Sequence, residues 1–476
     1  MKIELQSHPL GECSQIIIAD SSSKFEKENF SEDEINYIKK SKELKTNVIL
    51  INRFQYQIFI CFVAEDKKEH FFPESVRVLA VEVLKTVNNH KIEKVFLQNK
   101  CENPKTTTFF LEGFELASYQ FLKYFSKENI HKKQNSLKEL FIENKNITLA
   151  EIEEIKAINQ SVFLCRNLVN EPPSYQTINV FAKQIAETAQ KYGFEAEILD
   201  FDKIKTLRMG GLIAVNKASA QKAKFVILSW KPQNAKNEKP YIFVGKGITF
   251  DTGGYNLKPD LLQDTMKCDM AGAATVTALF AAIAQLNLPV FAHGLIPITD
   301  NKINENGYTM GDVITMHSGT SVEITHTDAE GRLILADALS FAKKYNPELV
   351  VDIATLTGSA QNALANEAMV AMNTANDNIF NKLKQAANET YERIVEFPLW
   401  EEYAEMLKSD IADLKNASFG KAGAITAAKF LQHFTDYQWI HLDIAGVAFF
   451  NKPKKYHPAG GTGIGVRLLV KFLQNL

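Results

Sequence analysis

The sequence has few cysteines, and none of them is arranged for pairing or for metal binding. Its 476 residues contain five, widely separated and never spaced as CxxC: Cys13, Cys61, Cys101, Cys165 and Cys268. An odd, scattered set argues against a disulfide framework or a thiolate zinc site, so we predict free thiols in a reducing cytoplasm. The first 15 residues also lack the apolar segment of an export signal.

An excess of charge of one sign is lacking as well. Lys and Arg total 54 while Asp and Glu total 56, which leaves a net charge of -2. No global field therefore draws the protein to nucleic acid or to an anionic membrane, and neither is an expected partner. The patterns HxxxH and HxxEH are absent too, so a zinc site built on histidines has no support.

One long stretch carries no charge at all. Asp, Glu, Lys and Arg are absent between Asp269 and Asp300, a length that could span a bilayer. Gln285, Asn287 and Pro289 divide it, however, into an Ala-rich segment of helical length (AGAATVTALFAAIAQL) and a short β-type run (VFAHGLIPI). We therefore predict two buried core elements and no membrane segment.

The chain is longer than one hydrophobic core usually supports, so two domains are expected. Residues 1–147 mix β-rich runs such as VILINRFQYQIFICFVA with helical runs such as SVRVLAVEVLKTV, which predicts an α/β domain. Apolar residues then recur at steps of three and four from Ile152 to Leu168, and two prolines end the pattern. This periodicity predicts a connecting helix over 148–171.

Residues 172–476 are predicted to form a second α/β domain. Apolar β-type runs alternate there with helical patterns: KFVILSW, YIFVG, VFAHGLIPI, SVEITH, ELVVDIAT and WIHLDIAG. Near-continuous apolar strands between helices indicate a central, mostly parallel sheet covered by helices on both faces. Such sheets bind ligands beyond the carboxyl ends of their strands, where several of these runs continue into loops rich in Gly, Asp and Thr.

One of these loops crowds two like charges together. The segment THTDAEGRLILADAL places Asp328 and Glu330 ahead of an apolar helical run, with Arg332 two residues further on. Acids at the positive end of a helix dipole contribute only about 0.3 to 1 kcal/mol each. Taken alone, this segment could be an ordinary strand-to-helix turn.

Two further acids lie beside segments that composition predicts to be buried. Asp251 belongs to GKGITFDTGGYNLKP and Asp269 to MKCDMAGAAT. Burying a charge without a partner is costly, so positive charge must lie among the four acids. Lys246, Lys258 and Arg332 could supply it as ion pairs. Two divalent cations ~3.5 to 4 Å apart would supply it better, because carboxylates bridge such ions.

These segments occur in an order that is similar to a known family. HTDAEGRL resembles the NTDAEGRL signature of the leucine aminopeptidase family of dinuclear-metal exopeptidases. Further blocks resemble that family from Arg166 to the end: GKGITFD, KCDMAGAAT, GDVITMHSG, ATLTGSA, AGAITAAKFL, HLDIAG and GGTGIGVR. The resemblance implies a macro-domain-like amino-terminal regulatory or assembly domain and a carboxy-terminal catalytic domain. It also implies a cytoplasmic homohexamer that hydrolyses the amino-terminal residue from peptides.

The resemblance further implies two metal ions, Mn²⁺ or Zn²⁺. The implied ligands are Lys246, Asp251, Asp269 and Glu330 for one ion, and Asp251, Asp328 and Glu330 for the other. Two cations would compensate the acids and polarise a shared water towards hydroxide. Lysine is an unusual ligand because only its neutral amine has a lone pair, but a nearby dication and burial both favour loss of its proton.

Catalytic and substrate-binding residues also follow from the resemblance. Lys258 is implied to stabilise the oxyanion of the tetrahedral intermediate, and Arg332 to hold a bicarbonate ion that acts as general base. The residues alone would equally allow a solvated loop lysine and an ion pair between Arg332 and Glu330. The residues implied to line the substrate cleft are Met266, Thr355, Leu356, Gly358, Ala445 and Ala448.

The sequence departs from the family pattern at two places. His326 replaces the usual Asn, and it could hold a neighbouring ligand by a hydrogen bond, become a ligand itself or respond to pH. Tyr255 and Asn256 replace the commoner Ile or Leu followed by Ser, which brings this loop closer to the peptidase B branch. A preference for leucine therefore does not follow from the resemblance.

Two other functions are compatible with the same residues. Clustered acids and basic side chains also serve phosphoryl transfer, which makes a two-metal phosphoesterase an alternative. Some members of the family bind DNA, so a non-catalytic scaffold is another. The near-neutral charge argues against the scaffold, although it does not exclude a local basic patch.

Overall fold

The computed structural model of the chain describes residues 1–9, 11–27, 29–64, 71–418 and 420–476. The chain divides into two compact units, one of residues 1–159 with 453–458 and one of residues 160–452 with 459–476. The division falls within a long helix, Leu149–Asn170. This helix ends before a Pro-Pro pair because proline removes a backbone donor and disfavours helical geometry in the preceding residue.

The first unit contains a six-stranded sheet and its helices. The strands are β1 (Lys2–Gln6), β2 (Ser14–Ala19), β3 (Val48–Asn52), β4 (Gln57–Phe62), β5 (Lys94–Asn99) and β6 (Glu139–Glu143). The helices are α1 (Glu32–Glu43), α2 (Phe72–Asn89), α3 (Thr106–Ala117), α4 (Lys127–Lys133) and α5 (Leu149–Asn170), the last of which continues into the second unit. The strand order is β1-β6-β5-β2-β4-β3, parallel throughout except for the antiparallel pair β3 and β4.

Successive residues of these strands face two separate apolar cores. Ile16 of β2 packs in a core with Val83 of α2 and Phe110 of α3. The next residue, Ile17, packs in a second core with Ile38 of α1. A strand has a side-chain period of two, so a run of consecutive apolar residues is buried only when both faces of the sheet are covered.

The second unit contains the larger sheet and the remaining elements. Its strands are β7 (Glu195–Leu199), β8 (Lys224–Trp230), β9 (Tyr241–Gly245), β10 (Gly247–Asp251), β11 (Ala292–Asn301), β12 (Val313–Thr315), β13 (Ser321–Glu323), β14 (Leu349–Ala354), β15 (Met369–Asn373), β16 (Ile394–Glu396), β17 (Leu414–Lys415), β18 (Trp439–Asp443), β19 (Phe449–Phe450) and β20 (Gly460–Gly461). Its helices are α6 (Ile178–Tyr192), α7 (Phe201–Thr206), α8 (Gly210–Asn216), α9 (Asp260–Gln263), α10 (Ala271–Gln285), α11 (Glu330–Ala342), α12 (Gly358–Leu364), α13 (Asp377–Thr390), α14 (Glu402–Glu405), α15 (Gly423–Gln432) and α16 (Val466–Asn475). Two 3₁₀ turns are also present, Met266–Cys268 and Lys343–Tyr345.

The large sheet has nine strands and is mostly parallel. Its order is β16-β15-β18-β14-β9-β11-β8-β7, and β10 pairs with β11 beside that path. Neighbouring strands are antiparallel only at β15 with β18, β11 with β8, and β8 with β7. The predicted α/β class with a mostly parallel central sheet is confirmed.

Most of the predicted β-type runs belong to this sheet. KFVILSW, YIFVG, ELVVDIAT and WIHLDIAG contain β8, β9, β14 and β18, and VFAHGLIPI contains the start of β11. SVEITH is the exception, because only Ser321–Glu323 is a strand and it joins a separate three-stranded sheet with β12 and β17. The run stops early because the N–H groups of Thr325 and His326 donate to Asn416 Oδ1 and not to a neighbouring strand.

The uncharged stretch of the sequence forms two buried elements, as predicted. Helix α10 is buried from Ala271 to Ile283, and β11 is buried almost throughout. Helices α10 and α11 both pack against the central strand β9. Within the described residues, no helix is both long and apolar enough to cross a membrane.

The arrangement of the central strands explains where the polar residues gather. Strands β9, β11, β14 and β18 run parallel to one another, and β10 runs parallel to β11. Their carboxyl ends therefore lie at one edge of the sheet, and the loops that leave this edge carry the acids and lysines singled out in the sequence.

Candidate active site

Each predicted metal ligand lies at an element end along this edge. Asp251 ends β10, and Lys246 lies between β9 and β10. Asp269 lies between the 3₁₀ turn Met266–Cys268 and α10, while Asp328 and Glu330 lie at the start of α11. Residues that are far apart in sequence thus meet because the ends of parallel strands and the starts of the helices that pack on them lie at the same edge.

Lys246 is the buried cation at the centre of the group. Its Nζ lies 2.8 Å from Asp269 Oδ1 and 3.0 Å from Glu330 Oε1. It also donates to the carbonyl oxygen of Thr355 at 2.9 Å. The side chain is only 3% exposed, so these three partners replace the water that it has lost.

Lys258 occupies a more open position. Its Nζ lies 2.8 Å from Asp251 Oδ2 and is also paired with Asp328 Oδ1. The side chain of Lys258 is 15% exposed, against 3% for Lys246. Of the two ammonium groups, that of Lys258 is therefore the one that a substrate can reach.

Three of the carboxylates converge closely enough to share a cation. Asp251, Asp328 and Glu330 each offer an oxygen, and these atoms lie within 4.8 Å of one another. Asp269 Oδ2 is buried and has no hydrogen-bond partner among the described residues. Oxygen donors of this kind suit hard or borderline divalent cations, so the residues fit the predicted metal ions.

The two lysines do not neutralise all four carboxylates of the site. Burial, with the carboxylates of Asp251 and Glu330, raises the pKa of Asp328 to about 8. Burial also raises the pKa of Asp269 to about 8, although Lys246 opposes the shift. The two lysines supply two positive charges to four carboxylates, so the group keeps negative charge that a divalent cation would compensate.

The pKa values of Glu330 and of the two lysines are shifted towards the charged forms. Burial raises the pKa of Glu330, but Lys246 and Lys258 together bring it below its ordinary value. Burial lowers the pKa of both lysines, yet the neighbouring carboxylates outweigh it and hold each pKa above its ordinary value. Both lysines are therefore ammonium ions while they are ion-paired in this way.

A glycine makes the contact between Lys246 and Glu330 possible. A Cβ atom at Gly331 would lie 2.5 Å from Lys246 Cε and 2.7 Å from its Nζ. No side chain fits in that space without moving the lysine. The DAEGR segment therefore needs its glycine for close approach at this point.

Arg332 lies just inside the first turn of α11 and is buried. Its Nη1 donates to the carbonyl oxygen of Asn416 at 2.8 Å, and its Nε has no hydrogen-bond partner among the described residues. Burial lowers its pKa to about 10, although Glu330 and Asp443 oppose the shift. The guanidinium remains charged at neutral pH and retains a free donor, which suits an anion.

Several residues of the site were missed by sequence reasoning. Asn301 Nδ2 donates to Asp251 Oδ1 at 2.8 Å and to the carbonyl oxygen of Thr327 at 3.1 Å, with Glu330 Oε2 at 3.4 Å. Asn301 ends β11, as Asp251 ends β10, so its place after a buried strand was a usable signal. Asn416 carries no such signal, because it follows a two-residue strand in an irregular segment.

The implied substrate-cleft residues fall into three loops at the same edge. Thr355 Oγ1 donates to Asp269 Oδ1 at 2.7 Å, and Leu356 follows Thr355 after β14. Gly358 is exposed and begins α12, while Met266 lies in the 3₁₀ turn before Asp269. Ala445 and Ala448 follow β18.

The two departures from the family pattern meet around the loop that carries Asp328. His326 Nδ1 accepts from the N–H of Asp328 at 3.2 Å, so the imidazole supports this segment by a hydrogen bond. Asn256 Oδ1 accepts from the N–H of Thr327 at 2.7 Å, and the N–H of Asn256 donates to Thr327 Oγ1 at 2.8 Å. Tyr255 donates to the carbonyl oxygen of Asn304 at 3.1 Å.

Comparison with known proteins identifies the family of the chain. Residues 163–470 match the catalytic domain of the cytosol aminopeptidase family. The probable cytosol aminopeptidase of Chlorobaculum tepidum is 41% identical over 389 residues, 79% of this chain and 77% of that protein. The protein of the same name from Geobacter sulfurreducens is 40% identical over 401 residues, 83% of this chain and 80% of that protein.

Solved structures show the same fold along nearly the whole chain. A mutant of tomato leucine aminopeptidase has a TM-score of 0.87 at 27% identity, covering 99% of this chain and 96% of that one. The bottromycin maturation enzyme BotP in complex with Mn has a TM-score of 0.86 at 27% identity, covering 98% and 99%.

These matches confirm the predicted family, fold class and enzyme class. They also agree with the prediction of divalent metal ions as cofactors, for which Asp251, Asp328 and Glu330 supply converging carboxylates. The chain belongs to the cytosol aminopeptidase family, and its enzyme class is that of a metallo-aminopeptidase acting on peptides.

Proposed function

We propose that the protein removes the amino-terminal residue from peptides with the help of two divalent metal ions. The observation that carries the proposal is the convergence of Asp251, Asp328 and Glu330, with positive charge still missing from the group. The Mn complex of the structurally similar BotP supports Mn²⁺ as one suitable ion, and Zn²⁺ is the other. When bound, such ions activate water and stabilise negative charge on oxygen.

The ligands that we propose are those that the family resemblance implies. One ion would be held by Lys246, Asp251, Asp269 and Glu330. The other would be held by Asp251, Asp328 and Glu330. Lys246 Nζ already lies against Asp269 and Glu330, so its ammonium takes the position of a cation between them. As a ligand, Lys246 would be a neutral amine, and the charge of the bound ion would favour that state.

Lys258 is proposed to stabilise the oxyanion that forms on the scissile carbonyl. Its ammonium lies beside Asp251 and Asp328 and is the more exposed of the two lysines. A fixed positive charge at this place stabilises the transition state more than the neutral substrate.

Arg332 is proposed to hold a bicarbonate ion that accepts a proton from the attacking water. A planar guanidinium matches a planar carbonate, and the start of α11 adds the positive end of a helix dipole. The free Nε of Arg332 supports this role. Asn416 fixes the arginine through its carbonyl oxygen.

The proposed cleft makes the enzyme an exopeptidase. The cleft would be lined by the backbone of Thr355, Leu356 and Gly358. The pocket for the first side chain would be bordered by Met266, Ala445 and Ala448. The ion held by Asp251, Asp328 and Glu330 would supply a binding position for the free α-amine, and the cleft would hold the scissile bond beside Lys258. A homohexamer and a cytoplasmic location belong to the same proposal, and the names of the cytosol aminopeptidase relatives support the location.

Metal removal tests the proposal as a whole. We expect about two divalent ions per chain, loss of aminoacyl-amide hydrolysis on chelation, and recovery on adding Mn²⁺ or Zn²⁺. Elemental analysis and rate measurements before and after chelation provide the readout. Full activity in a metal-free preparation would end the proposal, and preferential hydrolysis of a phosphate ester would favour a phosphoesterase.

Replacing Asn301 tests how the ligands are held. Asn301→Ala removes the amide that donates to Asp251 and approaches Glu330. We expect metal affinity to fall roughly 10- to 100-fold, because partners of metal ligands fix their orientation. Calorimetric titration with Mn²⁺ measures the effect, and Asn304→Ala in the same loop is the matched control. Equal affinities in the two variants would refute this role for Asn301.

Replacing Lys258 tests the oxyanion role. We expect Lys258→Ala to lower kcat by roughly 10²- to 10³-fold, the range for losing one such donor. Metal content should stay at the wild-type level, since Lys258 is not a proposed ligand. The exposed Lys408→Ala serves as control. A wild-type kcat in Lys258→Ala would contradict the assignment.

Replacing Arg332 tests the bicarbonate site. Wild-type activity in degassed, bicarbonate-free buffer should rise on addition of bicarbonate, because the bound ion supplies the base. Arg332→Ala should lose this response and retain its metal ions. The measurement is the initial rate against bicarbonate concentration, and an unchanged response in the variant would exclude Arg332 as the binding residue.

A further inference from the structure

Asp443 is a buried carboxylate that has no part in the proposed metal site. It ends β18 and is 1% exposed. Its Oδ1 accepts from the N–H of Leu356 at 3.2 Å and from the N–H of Ala445 at 3.1 Å. Its Oδ2 accepts from Thr357 Oγ1 at 2.7 Å. One side chain thus ties together the loops that follow two different strands.

The hydrogen bonds to the Asp443 carboxylate begin where the backbone pairing between β14 and β18 ends. The last paired residues of β14 and β18 are Ala354 and Asp443. Beyond them, the N–H groups of Leu356 and Ala445 bond to the carboxylate and not to a neighbouring strand. Thr357 links these hydrogen bonds to α12, because its Oγ1 also accepts from the N–H of Ala360 in that helix at 3.0 Å.

Burying this charge is costly, and the surroundings compensate it only in part. Arg332 supplies positive charge nearby, and His441, two residues earlier on the same strand, favours the charged carboxylate when it is protonated. His441 is itself fully buried, with its Nδ1 2.6 Å from Asp352 Oδ1. Burial nevertheless keeps the pKa of Asp443 above its ordinary value. A polar group of this kind makes its surroundings specific, because few other arrangements satisfy it.

We propose that Asp443 is the positioning residue of the substrate cleft: it fixes the loops after β14 and β18 against each other and so sets the pocket for the first side chain. The inference rests on the proposed function, since Leu356, Gly358, Ala445 and Ala448 are cleft residues only within it. The hydrogen-bond partners of Asp443 in the described residues are Leu356, Thr357 and Ala445, none of which is a proposed metal ligand. Removal of Asp443 should therefore alter the choice of substrate more than the chemical step.

The test is the selectivity between amino-terminal residues. The kcat and KM of aminoacyl amides with different first residues are measured for wild type, Asp443→Ala and Thr357→Val. The ratio of kcat/KM between the best and the poorest substrate should fall roughly tenfold in Asp443→Ala, the scale of a pocket contact. The loss should come mainly from KM of the best substrate, with unchanged metal content. Thr357→Val keeps the side-chain size and removes the bond to Asp443, together with the bond from the Ala360 N–H. Leu356 and Ala445 still donate to the carboxylate, so this variant should shift the ratio less, in the same direction.

The matched control is Asp436→Asn, at an acid of the same region that pairs with Lys343 on the surface at 3.0 Å. Its selectivity should equal that of wild type. A uniform fall in kcat at unchanged selectivity, in both Asp443→Ala and Thr357→Val, would reduce Asp443 to a structural role and overturn the inference. If Asp443→Ala does not fold, Thr357→Val decides alone. Wild type that cleaves no aminoacyl substrate would refute the proposed function itself.

Discussion

The neutralisation of four clustered carboxylates at one edge of the large sheet is the constraint on which the site depends. Asp251, Asp269 and Glu330 are almost fully buried there and the Asp328 side chain is 24% exposed, so water solvates the group poorly. A protein can hold like charges there only if positive charge lies among them. The two lysines supply two positive charges through their pairs with these acids, which leaves part of the negative charge uncompensated. Divalent cations compensate that remainder without adding bulk.

The same constraint explains why the backbone around the acids is built from glycine and alanine. A Cβ at Gly272 would lie 2.0 Å from the carbonyl oxygen of Ile353, and one at Gly245 would lie 2.7 Å from Ala273 Cα. These glycines let α10 approach the ends of β9 and β14 closely enough for Asp269 to reach Lys246. Small residues in KCDMAGAAT are thus a packing requirement of the metal site, although composition alone marks them only as core.

Sequence could predict the fold class and the charged residues of the site because both leave local signals. Uninterrupted apolar strands require a sheet that is covered on both faces, and acids that directly follow such strands are conspicuous. The supporting residues leave weaker signals or none. Asn301 follows a strand but is uncharged, and Asn416 reaches the site only because β17 pairs with β13. The SVEITH run predicts too long a strand, because the N–H groups of Thr325 and His326 donate to the side chain of Asn416.

The two lysines show why pairing partners cannot be derived from spacing. Along the sequence, Asp251 is the nearest of the four acids to Lys246, five residues away. In the structure Asp251 pairs with Lys258, and Lys246 pairs with Asp269 and Glu330. The β10 strand that separates Lys246 from Asp251 allows the two side chains to serve different partners. Burial then distinguishes the lysines: the enclosed one is suited to binding metal and the more open one to meeting substrate. Two side chains of the same type thus differ in chemistry because they differ in burial and in partners.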